Sequence, residues 1–483
     1  MSGKSQVSSG PWEGNTPLQA LNGLLKVIGV AAEDTGGKLS ITGADPVVNS
    51  RYRLGTAVSA ALLAQGAAIA AIWKMRSNRG QDVSVDARRA VVPGIRTCFH
   101  LLQNGHQVPV HPVPMYPSSG FFRTRDDRQF YILRNMAFTE KILGALDVLD
   151  CSFNPVSMQK AVSQWKADDL ETVFAERRLV GATARTREEW LQMPQGRILA
   201  AVPPVEIDKI GDSEPEPFGK GIRPLSGIKA LDFTHVLAGP VSTRTLAEQG
   251  AQVLHISAAR QPDLLNSAMD TGWGRRSAFL DIDLPENAAK ARALAKTADI
   301  FSHSWRPGSL DRRGFGPQEL AHHRPGIIYV SISCYGSDGP WSDRGGYDPI
   351  GQVLSGLSID EGSAEAPVII PAGALNDYLT GYLAAAGVLG ALVRRAREGG
   401  SYHVKASLAR TSMWVQELGR LPESQWPKAP LSLTPPDEHM IEMEGPYGRL
   451  RSPAPITQFS ETRAFWHRAP QPHGASLPQW ESD

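Results

Sequence analysis

The chain has 483 residues, 41% hydrophobic and 20% charged, with a formal net charge of +1. That is enough for two or three domains with a sizeable core, and the near-neutral balance gives no footprint for nucleic acid or an acidic surface. Three cysteines, Cys98, Cys151 and Cys334, are too few and too scattered for a disulfide framework or a zinc site.

Residues 1–50 are rich in Gly, Ser and Thr, and the first 15 have no apolar signal core, which predicts a loose N-terminal arm. Residues 56–76 have helical spacing, with Leu62, Leu63, Ile69, Ile72 and Trp73 on the apolar face and a break at Asn78-Arg79-Gly80. Residues 81–86 alternate like a strand, and 87–102 read as a second helix. Pro109, Pro112, Pro114 and Pro117 predict a stiff, extended connection. A hairpin follows over 120–133, turning at Asp126-Asp127. Helices are expected over 140–149 and 158–178, and Thr186 and Glu189 have capping-box spacing. Residues 109–210 thus form a small α+β domain, and the Pro, Gly and Glu-rich stretch 211–225 a linker.

From residue 226 strands alternate with helices: strands over 229–233, 252–256, 299–303 and 327–333, helices over 241–248 and 285–296. The pattern predicts an α/β domain over 226–418, a Rossmann-like doubly wound parallel sheet with its site at the carboxyl ends of the strands. Asp377 lies where a turn becomes a long helix that runs to Arg394-Arg395 and stops at Gly399-Gly400. Taken alone, it reads as a helix cap. Residues 402–406 form another strand, and 419–483 are Pro-rich and irregular. The runs at 56–73 and 379–393 read as buried helices of a cytoplasmic protein. Laying Val404 on Val83, an offset of 321, aligns helix, break and strand in both places; Asp377 then falls on Thr56. Residues 51–108 are therefore a partial, degenerate copy. The turn His235-Val236-Leu237-Ala238-Gly239-Pro240 is not G-x-G-x-x-G, and no Walker A, G-x-S-x-G or H-E-x-x-H sequence occurs. Neither a nicotinamide or flavin cofactor nor a metal is expected.

One series remains: residues 227–240, Arg275-Arg276-Ser277 to Leu280-Asp281, Trp305-Arg306-Pro307-Gly308 with 310–316, then 329–333, 336–340, Gly346-Tyr347-Asp348 and the Asp377 helix. Over 226–415 it resembles the class III CoA-transferases, the family of formyl-CoA and carnitine CoA-transferases with α-methylacyl-CoA racemase as a relative. Residues 78–86, 121–133, 185–190 and 452–466 resemble other parts of the same family, in a rearranged, partly duplicated order.

The resemblance implies that Asp377 is the nucleophile. It implies that His235, Val236, Leu237, Ala238, Arg275, Arg306, Arg312 and Tyr335 contact CoA. It implies acyl-CoA and a carboxylic acid as substrates, no permanently bound cofactor, and a homodimer, possibly interlaced, without nucleic acid or membrane. The positive end of the helix dipole is expected to hold Asp377 ionised. Two other readings stand beside it: an acyl-CoA racemase or isomerase, against which Tyr347 occupies the place of the racemase histidine, and a catalytically inactive partner subunit. With Thr56 in place of the acid, one active centre per chain is expected, covered by residues 110–205 or by a second chain.

Overall fold

The computed structural model describes residues 16–109, 120–133, 139–261, 263–370, 373–429 and 431–482. Its largest sheet has seven strands, ordered Arg275–Phe279, Gln252–Ser257, Lys229–Phe233, Ile300–His303, Ile328–Ser333, Ser401–Ser407 and Val205–Gly211. The first six are parallel and the last pairs antiparallel with Ser401–Ser407. The parallel part begins at Lys229–Phe233, winds outward to Arg275–Phe279, then crosses back to Ile300–His303. This reversal opens a crevice at the carboxyl ends of those two central strands. Alternate side chains feed two cores: Ala230, Val253, Ile300 and Ile328 face one layer, Leu231, Leu254, Phe301 and Tyr329 the other. Burial on both faces is why these strands read as short apolar runs.

Two helices of 24 residues, Leu54–Ser77 and Leu375–Glu398, pack against each other in the first core. Each end of the second lies 321 residues after the matching end of the first. Their surroundings match as well. A Cβ on Gly66 would meet Val83 and Thr457; a Cβ on Gly387, 321 residues on, would meet Val404 and Val205. Asp45 accepts the N–H groups of Gly55 and Thr56, and Asp348 those of Asn376 and Asp377. Gly43-Ala44-Asp45-Pro46 thus answers Gly346-Tyr347-Asp348-Pro349. The first helix is long and apolar enough to cross a membrane, but its apolar stretch is buried in the protein.

The small domain is the three-stranded sheet Gly120–Arg123, Gln129–Ile132 and Gly181–Thr183 with helices around it and its own core of Phe122, Phe130, Ile132, Leu170 and Phe174. Thr186 and Glu189 make the expected capping box. Several expectations are corrected. Residues 16–50 are ordered: Thr16 and Gln19 cap the helix Pro17–Ile28, and Leu39–Thr42 pairs with Val83–Asp86. The helix after that strand ends at Val91, because Pro93 and Gly94 follow. The segment expected over 158–178 is two helices, Pro155–Val162 and Ala167–Glu176. The C-terminal region contains a hairpin, Met440–Gly445 with Gly448–Pro453. Most of the proline-rich connection, 110–119, lies outside the described residues.

Candidate active site

Asp377 is the third residue of its helix, and the capping is done by another residue. Asp348 Oδ2 accepts the backbone N–H of Asn376 at 2.5 Å and of Asp377 at 3.1 Å. The Asn376 side chain is held by the Asp348 carbonyl and by Ser412. On the other side, the Tyr378 hydroxyl donates to Asp270 at 2.7 Å and receives the Thr97 hydroxyl and the Cys98 N–H. Both neighbours of Asp377 are therefore pinned, while its own carboxylate has no hydrogen-bond partner among the described residues. It is 9% exposed and lines a cavity of about 460 Å³. The expectation of a dipole-stabilised, fully ionised acid is corrected. Burial pushes the Asp377 carboxyl well above the usual carboxylate range, and the neighbouring Asp348 charge pushes it further. Asp348 is itself raised by burial to about 6.

The cavity lies at the crevice. His235, Val236, Leu237 and Ala238 line it, as does Arg306. The turn is fixed from both sides: the His235 N–H donates to Ser304 Oγ at 2.9 Å and the Val236 N–H to Asp263 at 3.1 Å. Val236 has φ 65°, a left-handed conformation that a β-branched residue rarely adopts. Burial lowers the His235 imidazole to about 4, so it is neutral at physiological pH. Ala238 and Gly239 begin the helix Ala238–Ala247, which has no side-chain cap, so first-turn N–H groups stand at the cavity wall.

Arg312 and Tyr335 do not line this cavity. They face an adjoining one of about 550 Å³, which shares Arg306 and Arg344 with the first. Arg275 is a correction. Its guanidinium is buried, paired with Asp232 at 3.3 Å and bonded to the Pro240 carbonyl, and it lines neither cavity. The expectation overlooked Cys334 and Arg344, and the small domain's Lys141 and Val180, all on the Asp377 cavity. Only spatial assembly joins them, since 190 residues and more separate Lys141 and Val180 from Asp377. Gln195, buried in the small domain, locks the two parts together by bonding the Tyr335 carbonyl and the Trp341 N–H.

Residues 225–424 match the family model of CoA-transferase family III. The match takes in 200 of the 483 residues, and this part of the chain is similar to that family. An acetyl-coenzyme A transferase, nodX, of Hypoxylon pulicicidum is 33% identical over 333 residues, 64% of this chain and 56% of the relative. A succinyl-CoA:glutarate CoA-transferase of Mus musculus is 31% identical over 199 residues, 39% of this chain and 46% of the relative. A solved CAIB/BAIF family protein from Brucella suis is 28% identical, covering 40% of this chain and 55% of its own, with a TM-score of 0.37. The chain spans about half the length of these relatives.

Proposed function

We propose that the protein is a CoA-transferase moving CoA from an acyl-CoA to a carboxylic acid, with Asp377 as nucleophile. The observation that carries this is a desolvated carboxylate at a cavity, without a hydrogen-bond partner among the described residues, beside an acid that has already taken over the capping. A carboxylate stripped of water is a stronger nucleophile than a solvated one. It attacks the thioester carbonyl, the C–S bond breaks, and CoA leaves as the thiolate, leaving a mixed anhydride. The thiolate attacks the aspartyl carbonyl and releases the donor acid, giving an aspartyl-CoA thioester. The acceptor carboxylate attacks that thioester, again expelling thiolate. The thiolate then attacks the acceptor's acyl carbon and restores the Asp377 carboxylate. First-turn N–H groups at Ala238 and Gly239 suit the oxyanion of each tetrahedral step.

The test is mass spectrometry of protein incubated with an acyl-CoA. A CoA adduct on the peptide holding Asp377, together with loss of transfer in D377N, is the expected result. Full transfer by D377N, with no adduct on that helix in the parent protein, would end the proposal.

A further inference from the structure

Some arginines in and near the cleft have carboxylate partners. Arg185 pairs with Glu171 at 2.6 Å, Arg313 with Asp283 at 2.7 Å, and Arg275 with Asp232. The guanidiniums of Arg178, Arg306 and Arg344, and of exposed Arg312, do not: among the described residues none has a hydrogen-bond or ion-pair acceptor. Arg306 and Arg344 are half-buried and border both cavities; Arg178, from the small domain, borders the second. The Arg344 guanidinium lies 4.0 Å over the Trp341 ring, which fixes its plane and leaves its N–H edges unused. Arg306 lies against Gly345, its Nη2 2.9 Å from where a Cβ there would sit. The second cavity also holds Glu171, already neutralised by Arg185, and Glu176 and Asp343. With Arg312, four arginines outnumber those two remaining acids. For Arg306 and Arg344, half-buried and without acceptors, burial is costly unless an anion joins them.

We propose that Arg178, Arg306 and Arg344 form a clamp for an anionic oxygen group carried by a substrate, closed from the small domain by Arg178. Planar guanidinium forks suit phosphate and carboxylate oxygens alike. The clamp rests on the transferase reading only for which substrate brings the group: CoA brings phosphates, and a dicarboxylic acid brings a carboxylate remote from the reacting one.

Calorimetric titration of the full chain with CoA, 3′-dephospho-CoA and glutarate, in the parent protein, R178A and R344A, tests it. The expected result is a tenfold or greater loss of affinity for at least one ligand in both variants. Loss for CoA but not for 3′-dephospho-CoA identifies the 3′-phosphate, and equal loss for both identifies the diphosphate. Loss for glutarate alone identifies the carboxylate. Glutarate binding through these arginines by a protein that binds neither CoA form would keep the clamp and sink the transferase reading. All three affinities within twofold of the parent in both variants, or no binding of any ligand by the parent, overturns the clamp. Arg178 is exposed, so R178A decides alone if R344A does not fold.

Discussion

Two carboxylates, Asp348 and Asp377, set the pH behaviour of the centre. Nucleophilic attack needs Asp377 ionised, and burial and the Asp348 charge both raise its pKa. Activity should therefore fall on acidification at a pH above the ordinary carboxylate range. D348N removes the neighbouring charge while its amide oxygen can still accept the N–H groups of Asn376 and Asp377. Its pH–rate profile should have the acid limb displaced to lower pH. A limb that stays in place would mean the two acids are not electrostatically linked. The same shift has a stability sign. A carboxyl whose pKa is higher folded than unfolded binds more protons when folded, so stability drops as pH rises between the two values. D377N should thus raise the melting temperature near neutral pH, by about 1–2 kcal/mol in stability, and the gain should shrink below the unfolded carboxylate pKa. A D377N protein less stable than the parent at pH 7 would show that the carboxylate contributes more by contact than it costs by burial.

At the level of elements, the site depends on how closely the helix Ala238–Ala247 approaches Leu375–Glu398. Gly381 permits that approach: a Cβ there would lie 2.5 Å from the Ala238 carbonyl oxygen and 2.8 Å from Val241 Cβ. G381A should cost about 1–3 kcal/mol by overpacking, offset in part by about 1 kcal/mol of helix propensity. Because Leu237 and Ala238 move with that helix, it should also raise the KM for acyl-CoA. G390A is the control. Its Cβ would collide with Ile28, which lines neither cavity, so stability should fall with KM unchanged. Equal KM effects in the two variants would break the link between this crossing and the cavity. The long helices, the hairpin and the central strands were legible in the sequence because each carries a clean period, a cap or a turn. The strand Arg275–Phe279 was not: it is an edge strand with two arginines, and its apolar content is too low to register. Asp377 was legible as an acid at a helix start, but its raised pKa was not, since that follows first from burial and then from Asp348, at the start of the helix Asp348–Ser355. Arg275 misled because a sequence does not show that Asp232 neutralises it.

At the scale of the whole molecule, the two halves complete each other. The antiparallel edge strand on Ser401–Ser407 is Val205–Gly211, from the segment following the first long helix; the one on Val83–Asp86 is Gln458–Phe459, from the segment following the second. The helices are tied by Gln65 Nε2 donating to the Tyr382 carbonyl at 2.7 Å and the Tyr382 hydroxyl to the Gly94 carbonyl at 2.6 Å. The first half has Thr56 where the second has Asp377, so only one half carries the acid. Lys141 and Val180 of the small domain line the Asp377 cavity within the same chain. A chain should therefore cover its own centre, whether it is alone or paired with another copy. The measurement is a mixing experiment between D377N, which lacks the nucleophile, and Q195A, which loses the bonds from the small domain to the Tyr335 carbonyl and Trp341 N–H. If cover and nucleophile belong to one chain, co-folded mixtures should show only the weighted sum of the two separate activities. An active centre assembled from a D377N cover and a Q195A nucleophile would lift the mixture above that sum. That result would require the small domain to exchange between chains, with the cavity described here completed by a second copy.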